Sequence, residues 1–138
     1  MKVVLVLAVI IVAVVAIVLV IGASLPKRHT VSRSATFKRD PRTVYTAVRD
    51  EYSKSAPGMY EIVEDDPGRK FVTRIAAQNL GYSGSWTHEF EQVPDGTRLT
   101  ITENGEVTNV LFRFMSRFVF GHSATINAYL KTLQRNLS

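Results

Sequence analysis

Trp86, His88 and Phe90 recur at every second position in the stretch GSWTHEFEQVPDGTRLTITENGEV, Gly84 to Val107, and Glu103 follows on its return half. A histidine and a carboxylate side by side inside a protein make an acid/base pair or a polar anchor for a ligand. The same two residues also make an ordinary cross-strand polar pair, and tryptophan and phenylalanine at strand period equally suit a filled core. Other catalytic constellations are missing. The chain has no cysteine and no G-x-S-x-G elbow, P-loop, G-x-G-x-x-G or H-E-x-x-H motif. His88, Glu103 and His122 lack the sequence-close ligand pair that metal sites use. The sequence therefore assigns no catalytic residue, no metal and no cofactor.

Parity decides what the row faces. Trp86, His88, Phe90 and Gln92 share one side of the first strand; Leu99, Ile101 and Glu103 share one side of the second. Burying both rows together needs a connection with an even number of residues. With Asp95-Gly96 at its centre, that connection pairs Phe90 with Ile101 and His88 with Glu103. The opposite side then carries Thr87, Glu89, Glu91, Arg98, Thr100 and Thr102, which suits solvent.

The elements that must hold this hairpin can be read around it. TVSRSATFKR alternates as a strand ending near Lys38. A short amphipathic helix follows, with Asp40 as N-cap, Pro41 at the first helical position, and Val44, Tyr45 and Val48 on one face. Two further strands flank the turn Asp66-Pro67-Gly68. The last segment holds a helical period to its end. It reads as one long helix, with Leu111, Met115, Phe118, His122, Ile126, Tyr129 and Leu133 on one face and Arg113, Arg117, Asn127, Lys131 and Gln134 on the other. Gly121 falls inside that helix, where it is expected to permit close approach of the sheet. The pattern predicts an α+β domain with one antiparallel sheet of about five strands and a helix laid across it.

From Val3 through Ile21 every residue is Val, Leu, Ile or Ala. As a helix rising ~1.5 Å per residue this run matches the ~30 Å hydrocarbon core of a bilayer. A cleavable signal peptide is the other reading, but secretory apolar stretches run only ~7–15 residues, so the length favours an uncleaved anchor. Lys27, Arg28, Arg33, Lys38 and Arg39 follow the run and only Lys2 precedes it, which places the domain on the cytoplasmic side. The expected organisation is an anchor over 1–25, a tether over 26–30 and a domain over 31–138. The domain carries about +4, the chain's +5 less Lys2, dispersed rather than clustered. That excess suits anionic headgroups. No compact basic cluster points to nucleic acid. Within the last helix, LFRFMSRFVF interleaves aromatics with Arg113 and Arg117. Either a curved sheet covers those phenylalanines, or Phe112 or Phe120 meets the bilayer with the arginines at headgroups.

The order of elements, together with DPRTVYTAVRD, GSWTHEFEQVPDGTRLTITENGEV and LFRFMSRFVFGHSATINAYLKTL, resembles the SRPBCC superfamily, the START-like and pollen-allergen-like helix-grip proteins that include the polyketide cyclase/dehydrase-type group. The resemblance covers about Val31 to Leu137. It implies a curved sheet gripping the C-terminal helix around a cavity for lipids, sterols, polyketides or other apolar molecules. Carried over by position, the cavity lining is Trp86, His88, Phe90, Leu99, Ile101 and Glu103 from the sheet, and Met115, Phe118, His122 and Tyr129 from the helix. One section of the family pattern, a helix and two strands after the first helix, is absent here, so the cavity is expected to be open on one side. The function expected is non-catalytic binding of a hydrophobic small molecule or lipid at the membrane. The alternatives are a cyclase- or dehydratase-like enzyme using the polar cavity residues, and a protein-interaction module.

Overall fold

A computed structural model describes residues 1–55, 57–76, 81–121 and 124–137. The apolar N-terminal run forms one helix, α1 (Lys2–Ser24), exposed along nearly all its length. It is long and apolar enough to cross a membrane.

Five strands follow: β1 (Arg28–Phe37), β2 (Tyr60–Asp66), β3 (Lys70–Ile75), β4 (Tyr82–Val93) and β5 (Gly96–Val107). They form a single antiparallel sheet in the order β1-β5-β4-β3-β2. β1 begins at Arg28, so most of the expected tether is strand. The acidic edge strand β2 is exposed over most of its length, and unpaired edges are commonly protected by such charge.

The parity of the hairpin is as expected, but its register is not. Trp86 pairs with Glu103, His88 with Ile101 and Phe90 with Leu99, two residues away from the pairing predicted. The connection is Pro94-Asp95, and Gly96 already pairs with Val93. Gly96 serves close approach rather than the turn: a Cβ there would stand 2.0 Å from the Phe37 carbonyl oxygen. The outward face is lined with small hydroxyls, Ser34 to Thr100 at 2.9 Å and Ser32 to Thr102 at 3.2 Å.

Between β1 and β2 lies α2 (Pro41–Ser53), its first turn capped by Asp40, whose carboxylate accepts the Thr43 N–H at 3.3 Å. Val44, Tyr45 and Val48 are buried on one stripe. The C-terminal helix α4 (Ala124–Leu137) buries Ile126, Leu130 and Leu133. These two stripes close over Phe37, Phe71, Phe90, Leu99 and Ile101 from the sheet to make the core.

The single long helix expected at the C-terminus is broken. α3 (Val110–Met115) runs into a π-helical turn, Ser116–Phe120, and ends at Gly121, whose φ of 74° and ψ of 150° stop a helix. A Cβ at Gly121 would meet nothing within 4 Å, so the glycine supplies backbone conformation and not close packing against the sheet. The apolar period continues across this break, which is why the sequence reads as one helix.

Candidate functional site

At the end of the sheet away from the Pro94-Asp95 turn lies a cavity of about 660 Å³. This lies inside the ~300–1,000 Å³ range of small-molecule sites. Strand residues make its floor, with Trp86 and His88 from β4 beside Glu103 and Gly105 from β5. Phe71 and Thr73 extend the floor along β3, Val48 and Tyr52 come from α2, and Phe112, Met115 and Tyr129 overhang from the C-terminal segment. Tyr60 and Tyr82 in its wall are 41% and 44% exposed, so the cavity is open at that side.

An aromatic wall surrounds His88. Its ring lies 5.6 Å from Phe71, 5.8 Å from Tyr129 and 6.1 Å from Trp86, and Trp86 meets Tyr129 edge to face at 5.3 Å. Only 3% of His88 is exposed. Its Nδ1 stands 3.1 Å from the Phe71 carbonyl oxygen, which can only accept, so Nδ1 carries the proton and Nε2 presents a lone pair. Nε2 has no partner among the described residues. Burial disfavours the charged imidazolium and lowers the His88 pKa from 6.5 to about 4, against a smaller opposing effect of the Phe71 carbonyl. The ring is neutral at pH 7. Burial, with the nearby Glu51 charge, likewise raises the Tyr129 hydroxyl above its ordinary value.

The His88–Glu103 pair predicted from sequence is not formed. Glu103 faces its register partner, accepting the Trp86 indole N–H, and its other oxygen stands 2.8 Å from His29 Nε2. His29, within the expected tether over 26–30, is in β1 and lines the cavity. Its ring lies over Gly105, where a Cβ would stand 2.4 Å from His29 Cε1. Gly105 thus makes room for the imidazole. A His88 of low basicity, without a carboxylate behind it, is a poor general base at neutral pH.

Of the ten residues carried over as cavity lining, Trp86, His88, Glu103, Met115 and Tyr129 line it. Phe90, Leu99 and Ile101 share their face but lie further along the strands, in the filled core. Phe118 is 58% exposed and lies outside the cavity, because the π-helical turn rotates it off the stripe. His122 lies outside the described residues. The lining residues missed include His29, Phe71, Thr73 and Tyr52. Phe71 and Thr73 were accessible in principle, since they alternate on β3 and pair with His88 and Trp86. No group of three metal-ligating side chains occurs among the described residues.

No protein-family model matches the chain, and no curated protein matches it in sequence. Solved structures do match. The protein MLL2253 from Mesorhizobium loti is 15% identical with a TM-score of 0.57, over 78% of this chain and 95% of that one. The Aha1 dimer from Colwellia psychrerythraea is 16% identical with a TM-score of 0.55, over 79% and 96%. The di-domain ARO/CYC StfQ from the steffimycin biosynthetic pathway is 15% identical with a TM-score of 0.53, over 80% of this chain and 51% of that one. These likenesses show a helix-grip fold.

Proposed function

We propose that the protein is a membrane-anchored member of the SRPBCC superfamily that binds a lipid or other hydrophobic small molecule between sheet and C-terminal helix without transforming it. The observation that carries the reading is the cavity of about 660 Å³ walled by aromatic rings around a His88 Nε2 that has no partner among the described residues. An unmade bond at a buried polar atom costs ~1–3 kcal/mol, and a ligand hydroxyl or amide N–H would supply it. The favoured ligand is therefore an apolar body with one hydrogen-bond donor. α1 serves as the anchor, and the basic residues after it favour the cytoplasmic side. A catalytic role is disfavoured by the low basicity of His88 and by the engagement of Glu103 with Trp86 and His29.

Native mass spectrometry of the full chain released from detergent micelles tests this. A bound apolar molecule, lost in a cavity-filling Thr73→Phe variant, is expected. A bare chain that also takes up no fluorescent fatty alcohol would overturn the reading, and capture of a protein segment in its place would favour an interaction module.

A further inference from the structure

Arg113 was expected either on the outer face of a gripped helix or at lipid headgroups. It is instead 5% exposed and ties the end of α1 to the end of β5. Its Nη1 donates to the carbonyl oxygens of Gly22, Ala23 and Leu25 at 3.2, 3.4 and 3.3 Å, the last turn and C-cap of α1. Its Nε donates to the Val107 carbonyl oxygen and its Nη2 to that of Thr108, both at 3.0 Å, where β5 ends. A helix leaves its last carbonyls without partners, and a guanidinium is the side chain best shaped to fill several at once. Gly22 closes the joint: a Cβ there would stand 2.5 Å from the Val110 carbonyl oxygen, so the two backbones touch.

This joint fixes a depth. Ile21 is the last residue of the apolar run, and α3 packs against the residue that follows it. If α1 crosses a bilayer, α3 and its π-helical turn stand where hydrocarbon gives way to headgroups. That segment also carries Leu111, Phe112, Phe118 and Val119, each 45–58% exposed, with the exposed Arg117 guanidinium 5.7 Å from the Phe118 ring centroid. Apolar side chains beside a basic residue on a helix lying along the membrane plane are what the interface accommodates. Lys27, exposed and available to anionic phosphates, lies at the same junction, next to Arg28, whose Nε stands 3.5 Å from Glu106 and whose side chain is 87% exposed. Phe112 and Met115, on this same segment, line the cavity.

We propose that the segment from Val110 to Phe120 is seated in the surface of the bilayer that α1 crosses, held there by Arg113, so that the cavity's overhang at Phe112 and Met115 meets lipid and its ligand exchanges with the membrane. The proposal rests on α1 being a membrane span. It commits to a lipid surface because the exposed apolar patch continues directly from the end of α1, and to an anionic one because the exposed Lys27 and Arg117 lie beside that patch.

The chain has no cysteine, so single cysteines report depth without interference. Nitroxide labels at Leu111→Cys, Phe118→Cys, Val12→Cys and Glu89→Cys would be placed in the full chain reconstituted in phosphatidylcholine–phosphatidylglycerol vesicles, and oxygen accessibility compared with that of a water-soluble nickel chelate. The expected order is a mid-bilayer signal at position 12, an interfacial signal at 111 and 118, and an aqueous signal at 89. Aqueous signals at 111 and 118 with a lipid signal at 12 would overturn the proposal while leaving the anchor intact; an aqueous signal at 12 would remove the anchor itself. Arg113→Ala, with Trp86 emission confirming the fold, is expected to move the 118 label toward water and leave the 12 label unchanged. An unchanged 118 label would overturn the role given to Arg113.

Discussion

The neutral, buried His88 makes stability depend on pH in a defined window. The folded chain holds the imidazole at a pKa of about 4, against 6.5 for an ordinary histidine. Between those values the unfolded chain binds more protons, so stability is complete above pH 6.5 and falls as pH drops toward 4. The limiting loss is ~3 kcal/mol, from about 1.4 kcal/mol per unit of pKa difference, and about 2 kcal/mol of it is spent by pH 5. Urea unfolding of the full chain in micelles, followed by Trp86 fluorescence, measures it. Trp86 is the only tryptophan and lies 6.1 Å from the His88 ring, so its emission reports this site and not α1. The wild type should lose about 2 kcal/mol between pH 8 and pH 5 relative to His88→Phe, which keeps an aromatic ring and removes the titration. Other titrating groups cancel in that comparison. If His88→Phe shows the same pH dependence as the wild type, the burial argument is wrong.

Three further outcomes follow from the packing. Gly105→Val should push the His29 ring off Glu103, because a Cβ would stand 2.4 Å from His29 Cε1; the His29 proton resonances should then lose their dependence on Glu103→Gln. Phe71→Ala, at a residue 1% exposed between Tyr52 and His88, should cost ~3–5 kcal/mol in urea unfolding. Asp40→Ala removes the α2 cap and should cost ~1 kcal/mol by the same assay, without altering ligand retention.

Much of the fold was legible because strand parity and helix capping are local. Asp40, Pro41 and the stripe of Val44, Tyr45 and Val48 define α2 within a few residues. The inward faces of β4 and β5 follow from alternation alone. Position along a face does not. Trp86 and Phe90 share a side of β4, yet one lines the cavity and the other the core, since the helices above decide where space remains. Register failed by two residues because Gly96, which reads as a turn glycine, is used against the Phe37 carbonyl of a distant strand. His29 was missed for a similar reason: its ring is placed by Gly105, far along the chain. The break at Gly121 lies hidden under an apolar period that runs through it. Arg113 reads as a surface charge in a helical pattern, and only the fold brings α1's last carbonyls to it.

Occupancy of the space beside Trp86 by an apolar molecule is directly measurable. Brominated fatty alcohol, titrated into the full chain in amphipathic polymer, tests it through quenching of that single tryptophan. Saturable quenching, abolished in Thr73→Phe by filling of the cavity, is expected. Quenching that is linear in added alcohol, or unchanged in Thr73→Phe, would contradict it.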